Sequence, residues 1–196
     1  MKAKYLIILG VIALLFFYGI SVNNNLVEKE ETVNSAWAQV ENQYQRRADL
    51  VPNLVNTVRG AADFERETLT DVIEARSRAT SVNINASDLN DPQQFQQFQQ
   101  AQSELSGALS RLLVSVERYP ELRANDNFRD LQAQLEGTEN RISTERMRFN
   151  QAAQSFNSTV RRFPTSLIAS ITGFSSKQYF QAEEGANRPP EVDFNN

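Results

Sequence analysis

The sequence predicts an all-α protein: a single N-terminal transmembrane helix followed by an elongated antiparallel four-helix bundle. Three observations carry this. Tyr5 to Ile20 is an unbroken apolar run, counting its two glycines, with Lys2 and Lys4 before it. From about residue 24 onward, apolar residues recur three and four apart, the period of a buried helix face. Only 7 Gly and 6 Pro occur in 196 residues, few for the many turns of a β fold.

The apolar run comes first. At 1.5 Å per residue its 16 residues cover roughly 24 Å, short of a ~30 Å hydrocarbon core. Ser21 and Val22 extend it to about 18 residues, within the spanning range. Residues 1–22 are therefore expected to be an anchor in membrane lipid. Lys2 and Lys4 precede it, whereas Glu28, Glu30 and Glu31 follow it against one Lys29. That bias predicts a cytoplasmic N-terminus and a body outside the bacterial inner membrane. The competing reading is a signal peptide cleaved near Gly19-Ile20-Ser21. The run is longer than a usual signal core and leads straight into helical sequence, which favours retention. A lipid anchor on cysteine is excluded, because the chain has no Cys.

Residues 23–163 are expected to form the bundle. The first helix spans about 24–59, with Val33, Trp37, Val40, Tyr44, Val51, Leu54 and Val58 on one seam. Pro52 predicts a kink rather than a stop, because the periodicity resumes in phase, and Gly60 predicts a C-terminal cap. Trp37, the sole tryptophan, is expected in the core. The second helix spans about 63–81, capped by Asp63, with Leu69, Val72, Ile73 and Ala79 inward. Asp91-Pro92 starts a third helix, about 92–118, whose Phe95, Phe98, Ala101, Leu105, Leu109, Leu112 and Val116 hold a stripe through a Gln-rich beginning. The fourth, about 127–163, carries Phe128, Leu131, Leu135, Thr138, Ile142, Phe149, Ala152, Phe156 and Phe163. Residues 164–196 then hold a short apolar segment, Leu167 to Phe174, expected to pack at the bundle base, and a loose polar tail. The first and fourth helices are the long ones, which predicts a two-helix shaft toward the membrane.

Chemistry is sparse. Without Cys or His, thiolate metal sites, helical di-iron sites and Ser-His or Cys-His pairs are all excluded. The four lysines, Lys2, Lys4, Lys29 and Lys177, are expected outside any core, which disfavours a Ser-Lys hydrolase. Asp63, Glu65 and Glu67 read as acids complementing a helix dipole. Net charge is −4, so no nucleic-acid partner is expected. No catalytic residue, cofactor or metal is assigned.

Arginine is the unusual feature, with 16 Arg against 4 Lys. Arg47 falls on the first seam between Tyr44 and Val51, and Glu145 on the fourth between Ile142 and Phe149. Counted from a shared base they stand roughly 34 and 27 Å up, which predicts a register-setting ion pair. Arg46, Pro52 and Asn53 are a candidate partner surface.

Several stretches resemble the LemA family of bacterial membrane proteins. They include Asn34-Ser35-Ala36-Trp37, Arg46 through Val55, Thr57 to Gly60, Glu74-Ala75-Arg76, Tyr119 to Asn125, Thr138 to Ile142, Phe163-Pro164, Gly173-Phe174 and Tyr179-Phe180. The resemblance covers nearly the whole chain in order. It implies an N-terminal membrane helix and an antiparallel helical bundle, and brings no enzymatic activity. Where the family usually shows an aromatic residue and then a His-Glu pair after the glycine, this chain has Ala61 and Phe64-Glu65. A role for that histidine is therefore closed to it.

Two functions follow as expectations. The first is a non-enzymatic scaffold or adaptor, because an exposed two-helix seam calls for a homo-oligomer or a membrane-protein partner. The alternative is a sensor or ligand-binding module with an apolar molecule held among Phe128, Phe149 and Phe156.

Overall fold

The computed structural model describes residues 2–60 and 65–181. These are helical, with no strand among them: α1 (Lys2–Arg59), α2 (Arg66–Ser81), a 3-10 turn (Ala86–Asp88), α3 (Pro92–Val116), α4 (Pro120–Arg123), α5 (Asp126–Arg161) and α6 (Thr165–Thr172). The expected cap Asp63 and the expected loose tail, Glu183 to Asn196, lie outside the described residues.

The apolar run and the first bundle helix are one element. α1 has 58 residues, roughly 87 Å of helix. Its opening stretch, residues 4–18, is exposed throughout, and it is the one described helix long and apolar enough to cross a membrane. The remainder packs chiefly on α5 and also on α2, while α2 packs on α3. Lys29 donates to Ser155 (2.8 Å) and Arg47 to Glu139 (2.9 Å), so positions fall along α5 as they rise along α1. α3 begins as Asp91-Pro92 dictates. Asp91 Oδ1 accepts from the backbone N–H groups of Gln93 (2.8 Å) and Gln94 (3.2 Å), and these bonds hold its carboxyl below the usual carboxylate range.

Two apolar clusters fill the body. The distal one joins Leu50, Val51, Leu54 and Val58 with Leu69, Val72, Leu105, Leu109, Leu112, Phe128 and Leu135. The proximal one is aromatic: Trp37 lies 5.3 Å from Phe98, 5.5 Å from Phe149 and 6.0 Å from both Phe95 and Phe180. Trp37 is 1% exposed and its indole N–H donates to Ile84 O (3.3 Å).

Four expectations need correction here. The shaft is not bare. Its seam residues Leu26 and Val33 are buried, and the proximal cluster includes Ile84 and Leu89 from the α2–α3 connection, Ala169 of α6 and Phe180 from the segment after α6. That segment is tied down where Gln178 N–H donates to Leu89 O (2.8 Å) and Asn90 to Ser175 (2.9 Å). An exposed seam therefore supplies no argument for self-association. Lys177 is not outside the core; it is buried, bonded to Glu30 (2.7 Å) and stacked over Phe156. Ile73 and Phe163 do not face inward, being 43% and 77% exposed. Helical drift gives Ala75 the inward place on α2, and on α5 gives Ala153 and Val160 those assigned to Ala152 and Phe163, while α5 ends at Arg161. Gly60 is not a left-handed cap, since the one positive φ among the described residues belongs to Gly173.

Pro52 sits inside α1 without stopping it. Having no N–H, it leaves Ala48 O without a helical donor four residues on. Arg76 Nε of α2 donates to that same oxygen at 2.7 Å. The proline thus opens an acceptor that the next helix fills, which fastens α2 to α1. Arg76→Ala should destabilise the protein by about 1–2 kcal/mol. In a Pro52→Ala background, where residue 52 supplies its own N–H, the loss should fall below about 0.5 kcal/mol, giving a coupling near ~1 kcal/mol in thermal unfolding of the detergent-solubilised chain. Equal losses in both backgrounds would show that Arg76 does not compensate for Pro52.

Candidate functional site: a buried arginine joining four helices

Arg47 lies between the two clusters, one turn beyond Tyr44 and just before Leu50 and Val51. It is 1% exposed. Nη1 donates to Ser106 Oγ of α3 (2.6 Å) and Glu139 Oε2 of α5 (2.9 Å). Nη2 donates to the backbone O and side-chain Oε1 of Gln102 on α3 (3.1 and 2.8 Å). Gln102 Nε2 in turn donates to Ala79 O of α2 (3.0 Å). One guanidinium of α1 therefore reaches α3 and α5 directly and α2 through one amide. Its carbon also lies 5.1 Å from the Tyr44 ring centre, in reach of a cation–π attraction.

The expected partner is the wrong one. Arg47 pairs with Glu139, and Glu145 bonds Arg148 one turn along its own helix (2.8 Å). Equal rise per residue is the reason: Arg47 stands 23 residues above Asn24, and Glu139 stands 22 residues from Arg161, where α5 ends. Glu145 is six residues, roughly 9 Å, from that level. Glu139 was missed because it sits beside the apolar seam, not on it. Its side chain is 50% exposed, so it reaches in from water.

α3 and α5 meet where Ser106 Oγ lies 3.5 Å from Glu139 Oε1. Between them lies a cleft of about 450 Å³ lined by Gln96, Gln99, Gln102, Ser103, Ser106, Glu139 and Arg146, with Arg47 on its wall. Arg47 Nε and Gln99 Nε2 are buried there without an acceptor among the described residues. The chemistry of this set is positional. The guanidinium supplies donors, and Ser106, Glu139 and Gln102 accept them. Lys29 Nζ donates to Ser155 Oγ on the exposed surface (2.8 Å), far from this cleft.

The remaining candidates fall elsewhere. Arg46, Pro52 and Asn53 are exposed on α1, away from the cleft. Phe128 belongs to the distal cluster while Phe149 and Phe156 belong to the proximal one, so the three do not line one chamber. Glu65 reaches Arg118 (3.2 Å) across to the end of α3. Glu41 drew no notice in the sequence. Glu41 is exposed on α1, but partial desolvation of its carboxyl pushes its pKa up.

Two outcomes follow. Arg47→Leu strands the acceptors on Gln102 and Ser106 and should cost about 1–3 kcal/mol; its coupling to Glu139→Leu should exceed about 1 kcal/mol, whereas Glu145→Leu should add independently. Additivity with Glu139 in chemical unfolding would rule out the pair. A carboxyl whose folded pKa is raised loses stability as pH rises through that pKa. Glu41→Gln should therefore raise the melting temperature near neutral pH and confer no advantage well below the carboxylate range; a gain at every pH would exclude burial of the charge as the cause.

Known proteins share long stretches of this sequence. The chain is 35% identical over 82 residues to magnetosome protein MamQ 2 of Paramagnetospirillum magneticum, covering 42% of this chain and 30% of that one. It is 33% identical, over the same shares, to magnetosome protein MamQ of Magnetospirillum gryphiswaldense. The chain thus matches under a third of the length of these relatives. Protein LemA of Metamycoplasma hominis is 22% identical over 173 residues, 88% of this chain and 75% of the relative. The LemA family profile matches residues 36–194, from just before Trp37 through the end of the described body, and the chain belongs to the LemA family.

Proposed function

We propose that this protein is a non-enzymatic scaffold or adaptor, an antiparallel four-helix bundle held on a bacterial inner membrane by the start of α1. The observation that carries it is the continuity of α1. The same 58-residue helix supplies the apolar run and the seam of both clusters. A body joined to its anchor by unbroken helix holds a fixed orientation, which suits presenting a surface and not swinging a catalytic domain. Lys2 and Lys4 favour a cytoplasmic N-terminus and a body on the outer side.

The ring-on-ring packing of Trp37, Phe95, Phe98, Phe149 and Phe180 speaks against an apolar guest in the interior. The proposed partner surface is Arg46, Pro52 and Asn53, all exposed beside the Arg76 fastening. Arg on a rigid helix is suited to a carboxylate on a membrane-protein partner or a second copy of the chain. A photo-crosslinker placed at Arg46 or Asn53 in native membranes should yield a discrete protein adduct, diminished several-fold by Arg46→Glu in the Asn53 derivative. Crosslinking only within the chain would overturn the adaptor reading. Protease added to intact spheroplasts should digest the body, and full protection would reverse the orientation.

A further inference from the structure

α6 is built inside-out for water. It buries Thr165 and Ala169 against the body and leaves Leu167 58% and Ile171 85% exposed. Leu167 and Ile171 are four apart and share a face. Phe163, just before the helix, is 77% exposed. A surface helix in water turns its large apolar side chains inward; this one fully buries only Thr165 and Ala169, half-buries Ile168, and leaves Leu167 and Ile171 outside.

Its position supplies the second observation. α6 packs on both α1 and α5. Exposure along α1 first falls at Gly19, Val22, Asn23 and Leu26, three and four apart, where the apolar run ends. Val22, Leu26, Ala169 and Phe174 belong to one cluster. α6 therefore sits beside the end of the run. Tyr5 to Ile20 alone covers roughly 24 Å of a ~30 Å hydrocarbon core, which puts the next turn of α1, and α6 beside it, at the level of the lipid boundary. Arg161 and Arg162, both exposed, immediately precede Phe163.

We propose that Phe163 and α6 form a lipid-contacting foot, lying in the headgroup–acyl boundary of the membrane that α1 crosses. Phe163, Leu167 and Ile171 enter the acyl region, and Arg161 and Arg162 meet anionic headgroups. Continuity with the exposed apolar band of α1 selects lipid over a second copy as the occupant. The inference rests on α1 being an anchor. With two attachments to one surface, the foot fixes the tilt and rotation of α1, and so the direction in which the body stands.

The chain has no cysteine, so single cysteines report individual positions. Full-length Leu14→Cys, Leu167→Cys, Ile171→Cys and Met147→Cys proteins would carry a nitrobenzoxadiazole label in phosphatidylcholine–phosphatidylglycerol vesicles containing nitroxide lipids. Labels at positions 14, 167 and 171 should be quenched, and the label at 147, exposed on α5, should not. A shallow nitroxide should quench positions 167 and 171 at least about twofold more than a deep one, as for a boundary helix. Quenching at 14 with none at 167 and 171 overturns the foot and leaves the anchor standing. No quenching at 14 removes the anchor and the foot together. Shielding at 171 that is insensitive to nitroxide and falls as lipid is added would place a second copy on this face, and also overturns the proposal.

Discussion

The Arg47 guanidinium is the constraint around which the body is arranged. A cation with 1% exposure must be surrounded by acceptors, because desolvating it costs several kcal/mol. Those acceptors come from α3 and α5, and Gln102 passes the connection to α2. Apolar contacts tolerate a slip of one helix against another by a turn. A fork of donors with two fixed carbonyl partners on Gln102 does not. The polar layer therefore links four helices at one level, and the apolar clusters on either side supply the bulk of the burial.

An open backbone acceptor plays a similar role a turn further along. Pro52 withholds an N–H from Ala48 O, and Arg76 fills the place. Two arginines thus fasten neighbouring helices at adjacent levels of α1, one through side-chain acceptors and one through a carbonyl that only a proline leaves open. The stretch from Arg46 through Val55 reads as a single device for this. Its buried positions face the body and Arg46, Pro52 and Asn53 face outward.

The proximal end is built from pieces distant in sequence. The α2–α3 connection, α6 and the segment after it close over the seam of α1 and α5, so the shaft is clad. Lys177 joins this cladding to α1 by bonding Glu30, with the Phe156 ring beneath its ammonium. Asn157 and Asn150 hold the same segment through paired backbone bonds to Lys177 and Phe180. The covered shaft and the unbroken α1 thus form one continuous body.

Local rules written in the sequence were enough for α1, α2, α3 and α5, the apolar run, the Asp91-Pro92 start and the inward place of Trp37, but not for the short helices α4 and α6, because period and capping speak most clearly in long segments. They also marked Arg47 as anomalous, since a charge on an apolar seam is visible in one dimension. Its partner was decided elsewhere. Whether Arg47 meets Glu139 or Glu145 depends on where α5 begins to rise beside α1, and no residue near either one encodes that offset. The cladding was hidden for the same reason: Phe180 and Lys177 sit in a segment with no helical period, and their burial comes from contacts with helices far away in the chain. The sequence by itself determined what each segment is, because hydrogen-bond period and side-chain polarity are local. Only the tertiary structure decided which segments meet, because register is a sum over the rise of every residue between them.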